Sequence, residues 1–172
     1  LQRYAEAFSF LQSKNLYTVD DLENTLHSMQ DKIDALKKSA SAKQARIKEV
    51  DALLRMVDYY KSGKPAADKL KSIRFEKSRQ KYKSEHDDEL RTFYMAERKL
   101  KPYFKDGKLP ITAWRREREQ LEQDCKDIQT ELSPLHADAK KLWAIHYNIY
   151  EVQHEQERQN TAMRQKKQEM ER

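Results

Sequence analysis

The sequence predicts an all-α protein, a long antiparallel coiled-coil helical hairpin with a small helical head at its tip and a short N-terminal helix at its base. Three observations carry that expectation. Leu22, Leu26, Met29, Ile33, Leu36, Ala40, Lys43, Ile47, Val50, Leu54 and Val57 recur by alternating steps of four and three, the spacing that lays a seam along one side of a supercoiled helix. The same spacing returns in Leu121, Cys125, Ile128, Leu132, Leu135, Ala139, Leu142, His146 and Ile149. The only two glycines, Gly63 and Gly107, fence off the segment between these runs. Written antiparallel, Leu54 faces Leu121, Val50 faces Cys125, Ile47 faces Ile128, Ile33 faces Leu142 and Leu26 faces Ile149, so each step up one arm matches a step down the other.

Composition agrees with a rod rather than a thick globule. Of 172 residues, 37% are hydrophobic and 37% charged, and the mean hydropathy is -1.12. A two-stranded coiled coil buries only a narrow stripe on each helix and tolerates such polarity. One cysteine, Cys125, allows no internal disulfide and falls on the second seam, where it reads as a small buried hydrophobe. No run approaches the ~20 apolar residues of a membrane span, and no signal peptide opens the chain, so the expectation is a soluble, cytoplasmic protein with no membrane partner. The chain opens at Leu1 rather than Met, as a fragment of a longer protein would.

The elements follow in order. Residues 1–17 read as a short amphipathic helix with Leu1, Tyr4, Phe8 and Leu11 on one face, ended near Asn15. Residues 18–62 form the first arm, capped by Thr18 with Asp21 three positions on in a capping-box pattern. Gly63 is expected to supply a left-handed stop, with Pro65 behind it. Residues 63–111 are the basic head, built of two or three short helices, the clearest running from Asp87 to Lys101 behind a Ser84 cap. Residues 112–152 are the return arm, capped by Thr112, and residues 153–172 a polar tail, either a solvated helix or disordered. Pro134 conflicts with the second arm, because an interior proline loses a hydrogen bond at a cost of roughly 3 kcal/mol. A bend opposite the small residues Ser39 to Ala42, or a fresh start capped by Ser133, would accommodate it. Lys43, the charge on the first seam, is expected to snorkel outward.

Charge is concentrated in the head. Residues 61–118 carry 18 Lys and Arg against 9 Asp and Glu, a local balance of +9; the total is +6, so the rest of the chain stands near -3. Lys61, Lys64, Lys69, Lys71, Arg74, Lys77, Arg79, Lys81 and Lys83 arrive in one dense series with Phe75 and Tyr82 among them, and Arg98, Lys99, Lys101, Lys105, Arg115, Arg116 and Arg118 form a second group. Cations neutralise phosphates by releasing counterions, and interleaved aromatics offer stacking surfaces to unpaired bases. The candidate nucleic-acid-binding set is Lys64, Lys69, Lys71, Arg74, Lys77, Arg79, Lys81, Lys83, Arg98, Lys99, Lys101, Arg115 and Arg116. The competing reading is that a head this small needs Phe75, Tyr82, Phe93, Tyr94, Tyr103, Phe104 and Trp114 as its core. His86 with Asp87, Asp88 and Glu89 resembles a metal cluster but reads better as a helix start, where acidic residues complement the dipole. Adjacent tyrosines such as Tyr59 and Tyr60 can serve as nucleophiles on phosphodiesters, yet no histidine cluster and no Gly-rich phosphate loop accompanies them. No catalytic residue, metal site or cofactor is expected, and the chain is read as not an enzyme.

The strings Tyr59-Tyr60-Lys61-Ser62-Gly63-Lys64-Pro65 and Phe75-Glu76-Lys77-Ser78-Arg79-Gln80-Lys81-Tyr82, followed by Glu85-His86, Glu89-Leu90, Ala96-Glu97-Arg98, Leu100-Lys101, Leu109-Pro110 and Trp114, resemble the C-terminal region of MobA-type relaxase/mobilisation proteins from mobile elements of gut Firmicutes. The resemblance covers roughly Tyr59 to Leu121. It implies the noncatalytic tail of a relaxase whose nicking domain lies upstream, acting at the transfer origin of a plasmid or conjugative transposon on DNA or on a relaxosome or type IV secretion partner. Two readings therefore stand: a basic head that contacts DNA phosphates, or a coiled-coil spacer or dimerisation element that docks a protein such as the secretion-channel coupling protein. The flanks of such a hairpin also permit a homo-oligomer.

Overall fold

The computed structural model describes residues 2–170 of the chain and the side-chain surroundings of residues 5–166. The fold class is as expected, all-α with a helical hairpin. The described residues form α1 (Gln2–Ser13), α2 (Val19–Ser72), α3 (Glu76–Glu85), α4 (Asp87–Leu100), a 3-10 turn (Lys101–Tyr103) and α5 (Ile111–Met170). The chain divides into two compact units, Leu1–Ser39 with Ile128–Arg172, and Ala40–Asp127.

In the first unit α1 ends at Ser13 and the chain turns at Asn15, whose φ of 56° lies in the left-handed region that asparagine tolerates. Phe10 and Leu11 then pack with Leu16, Leu22, Leu26 and Leu142. The packed face differs from the expected one: Phe8 is 62% exposed and Phe10 takes its place, while Leu1 and the side chain of Tyr4 lie outside the described residues. The expected capping box is present. The Asp21 N–H donates to Thr18 Oγ1 at 3.0 Å, and the Thr18 N–H donates to Asp21 Oδ2 at 3.0 Å. The Thr18 side chain first, then the Tyr17 and Thr18 N–H groups that donate to the carboxylate, hold the Asp21 pKa below its ordinary value. Farther along, Ile33 clusters with Leu132 and Ala139, flanked by Met29, Leu36, Ile128 and Leu135. The early part of α2 and the late part of α5 run antiparallel, since Glu23 pairs with His146 and Lys32 with Glu131. α5 passes through Pro134 as one helix, and the Ser133 hydroxyl donates back to the Gln129 carbonyl at 3.0 Å rather than capping a new start. The polar stretch beyond Val152 is helical to Met170.

In the second unit Val50, Val57, Leu100 and Trp114 form a core, joined by Leu53, Leu54, Met56, Tyr60, Phe104, Leu109 and Ile111. A second cluster joins Ala66 and Ala67 to Leu90 and Phe93. Lys43 does snorkel to the edge of the seam, where it meets Asp124 at 2.5 Å. Arg46 reaches Glu117 at 2.7 Å through a two-pronged contact and Arg118 reaches Asp51 at 2.6 Å. The Lys43 hydrogen bond first and that of Gln120 second hold the Asp124 carboxyl below its usual pKa, and the Glu117 carboxylate raises that of Arg46.

The layer pairing is corrected. Ile33 meets Leu132, Leu135 and Ala139 while Leu142 sits with Leu22 and Leu26, and Leu54 and Val57 meet Ile111 and Trp114. The Ile33 and Leu54 layers lie about one heptad from the expected ones, roughly 10 Å along an axis that rises 1.5 Å per residue, while Leu26 and Ile149 share a cluster as expected. A seam repeated every seven residues fits itself equally well after such a slide, so the ion pairs and the Val57–Leu100–Trp114 core choose the register.

The helix boundaries near the glycines are corrected too. α2 does not stop at Gly63 but runs through Gly63 and Pro65 to Ser72, and Gly63 has no left-handed φ. Its lack of a side chain serves proximity instead. A Cβ there would stand 2.6 Å from Phe93 Cβ and 3.1 Å from the Glu89 carbonyl oxygen, so α4 crosses against α2 at this glycine. Gly107 is the turn glycine: Asp106 and Gly107 adopt φ of 48° and 73° between Lys105 and Lys108, which exchange both backbone hydrogen bonds at 2.9 Å. Aspartate followed by glycine suits a tight turn with two positive φ angles. Ser84 lies inside α3, so His86 rather than Ser84 precedes α4, and α5 starts at Ile111 with the Trp114 N–H bonded to the Pro110 carbonyl, which puts Thr112 within the first turn.

Candidate nucleic-acid interface

The basic residues sit on six consecutive pieces of the second unit. Lys64, Lys69 and Lys71 lie on the last turns of α2, Arg74 on the link to α3, and Lys77, Arg79, Lys81 and Lys83 on α3. Arg98 and Lys99 end α4, Lys101 opens the 3-10 turn, and Arg115 and Arg116 lie in the first turns of α5. All thirteen are exposed. α3 buries none of its residues, because its sequence offers only Tyr82 as an apolar anchor. Tyr82 is half-buried against the His86 ring at 4.2 Å, with Lys69 Nζ 5.1 Å from its centre.

α4 has the opposite character. Leu90, Phe93, Ala96 and Leu100 are buried at helical spacing, and Phe93 stacks on Tyr60 at 5.1 Å while Tyr60 meets the edge of Phe104 at 5.8 Å. Burying that face turns Arg91, Tyr94, Met95, Arg98 and Lys99 to the other side. Two open recesses result. One, of about 420 Å³, is lined by Lys83, Arg91, Tyr94, Met95, Arg98 and Lys99, with Leu90 and one carboxylate, Asp87, completing it. The next, of about 600 Å³, is lined by Tyr60, Tyr94, Arg98, Lys101 and Phe104, with one carboxylate, Glu97, among them. Tyr94 and Arg98 belong to both.

Ion pairing separates these cations from the others. Lys43, Arg46 and Arg118 are spent on carboxylates of the facing helix. Among the candidates, Arg79 lies 3.8 Å from Glu76 and donates to the Ile73 carbonyl at 3.1 Å, and Lys81 lies 3.9 Å from Glu85. Lys64 rests over the Tyr60 ring. Lys71, Arg74, Lys77, Lys83, Arg98, Lys99, Lys101, Arg115 and Arg116 pair with no carboxylate among the described residues.

Lys83, Arg98, Lys99 and Lys101 are therefore brought together around Tyr94, whereas Arg115 and Arg116 line neither recess. Arg118, part of the second basic group, is held by Asp51, which raises its pKa. Arg91 was missed because it stands outside the dense basic runs; its place three residues before Tyr94 and seven before Arg98 was the available signal. The aromatic residues divide as well. Phe93 and Trp114 are core, Phe75 is 78% exposed, and Tyr94 and Tyr103 are partly exposed. Tyr60 is a packing residue, and Tyr59 lies outward with its carbonyl accepting from the Ser62 hydroxyl. His86 precedes α4 with Nδ1 3.2 Å from Glu89, and no group of three metal-ligating side chains occurs among the described residues. No described helix is long and apolar enough to cross a membrane.

No family model, curated protein or solved structure matches the chain.

Proposed function

We propose that this chain is a noncatalytic DNA-binding module whose second unit grips phosphates, as the resemblance to mobilisation relaxases would have it. The observation that carries this reading is the unequal ion pairing: Lys43, Arg46 and Arg118 on the facing surfaces of α2 and α5 are neutralised, while Lys77 and Lys83 of α3, Arg98 and Lys99 of α4 and Lys101 of the turn that follows are exposed and pair with no carboxylate among the described residues. Unpaired cations exposed on one small unit repel one another, and a polyanion relieves that repulsion. Contacts of this kind hold the backbone of DNA without reading its bases. Titration of labelled DNA with the purified chain tests it. A module neutralising about four phosphates should lose on the order of 100-fold in affinity between 50 and 200 mM salt. Reversal of Lys77, Lys83, Arg98 and Lys99 to glutamate should abolish binding. Salt-independent binding, or none, rejects the proposal.

A second reading is supported by the first unit, where Trp143, Tyr147 and Tyr150 are exposed in a row on α5. Spaced four and three apart, they form a stripe suited to a protein partner or a second copy. Sedimentation over a range of concentrations separates the two readings: association lost on Trp143→Ala and Tyr147→Ala, with no DNA binding, favours the interaction element.

A further inference from the structure

We infer that the second unit binds unpaired rather than duplex DNA, with a base stacked on Tyr94; this rests on the DNA-binding reading and deepens it. Along α4, Arg91, Tyr94, Met95, Arg98 and Lys99 form one stripe at steps of three and four, opposite the buried stripe of Leu90, Phe93, Ala96 and Leu100. An aromatic ring thus stands between cations one turn away on either side.

Tyr94 is 37% exposed and is braced from behind, its ring meeting Phe93 edge-on at 5.2 Å and 74°. Phe93 in turn is 2% exposed and stacked on Tyr60. The ring is held by the core while its other side opens onto the two recesses that share it. Each recess, at about 420 and 600 Å³, has room for a nucleobase.

Duplex DNA presents phosphates and sugars outward and keeps its base faces stacked inside. Against such a surface Tyr94 and Met95 would be desolvated without gaining a partner. A single strand offers both chemistries at once: phosphates for Arg91, Arg98 and Lys101, and a free base face for Tyr94. Phe75 is a second exposed ring, 78% exposed and flanked in the chain by Arg74 and Lys77.

The test is equilibrium binding of the full chain to fluorescent oligothymidylate and to a hairpin duplex of equal charge at one salt concentration. Tighter binding of the oligothymidylate is expected. Tyr94→Ala should weaken it by roughly 5- to 150-fold, the range for one stacked base, without altering the salt slope. Tyr94→Phe should bind as wild type does, and the duplex should be nearly indifferent to either change. Arg98→Ala should lower the salt slope for the single strand by about 0.7. Unchanged thermal unfolding of the Tyr94→Ala variant confirms that its loss of binding is not a loss of fold. Preference for the duplex, or an equal loss on both ligands with Tyr94→Ala, overturns the inference and leaves phosphate binding standing; loss of salt-dependent binding to both ligands in the wild type removes the DNA-binding reading itself.

Discussion

Replacing Gly63 by alanine tests how closely α2 and α4 approach. The added Cβ would lie 2.6 Å from Phe93 Cβ and 3.1 Å from the Glu89 carbonyl oxygen, whereas nonbonded carbons rest at about 3.5–4.0 Å. The helices must part by about 1 Å, and Phe93, buried and stacked on Tyr60, has no free rotamer to absorb the shift. Overpacking of this kind costs about 1–3 kcal/mol. Alanine is favoured over glycine inside a helix by about 1 kcal/mol. The net expectation is a loss of about 1 kcal/mol, a fall of roughly 2–4 °C in Tm for a chain of this size, read by urea and thermal unfolding followed by circular dichroism. Gly63→Asn should be worse than Gly63→Ala, since asparagine is larger and a poorer helix former; at a left-handed helix stop the order would reverse. Stabilisation by about 1 kcal/mol on Gly63→Ala, the bare propensity gain, would refute the close crossing.

Three further outcomes are expected. Pro65→Ala should stabilise the chain by on the order of 1 kcal/mol, because α2 runs through this position and the Lys61 carbonyl regains a donor; no gain in urea unfolding contradicts a continuous α2. Thr18→Ala should cost about 1 kcal/mol and speed hydrogen exchange at the Asp21 amide, which donates to the lost hydroxyl. The Asp124 pKa is lowered in the folded state, first by Lys43 and then by Gln120, so its contribution is complete above the ordinary value of 3.8 and disappears as pH falls through the folded value. Unfolding curves measured from pH 6 to pH 2 should thus decline more steeply for the wild type than for Asp124→Asn, and parallel curves would count against the Lys43 contact.

The candidate site was legible as charge but not as geometry. Dense basic runs are visible in any reading of residues 61–118, yet which cations stay unpaired depends on what faces them. Arg118 and Arg98 look alike in the chain; Asp51 stands against the first, while the second lines a recess with Tyr94. Arg91 gained its place only from the rotation of α4, which the burial of Leu90 and Phe93 dictates. Phe75, Tyr94 and Phe93 are likewise indistinguishable by residue type, and packing alone makes one of them core and leaves the others open.

For the fold, local chemistry in the chain was enough to determine helices, seams, the Thr18–Asp21 cap and the antiparallel return, because period and capping act over a few residues. Register and the course of α2 past Gly63 were beyond its reach. A heptad seam is blind to a slide of seven residues, and a glycine before a proline reads as a stop until another helix is found against it. Both were decided by contacts between residues far apart in sequence: the core of Val57, Leu100 and Trp114, the pairs Lys43–Asp124 and Asp51–Arg118, and Phe93 lying over Gly63.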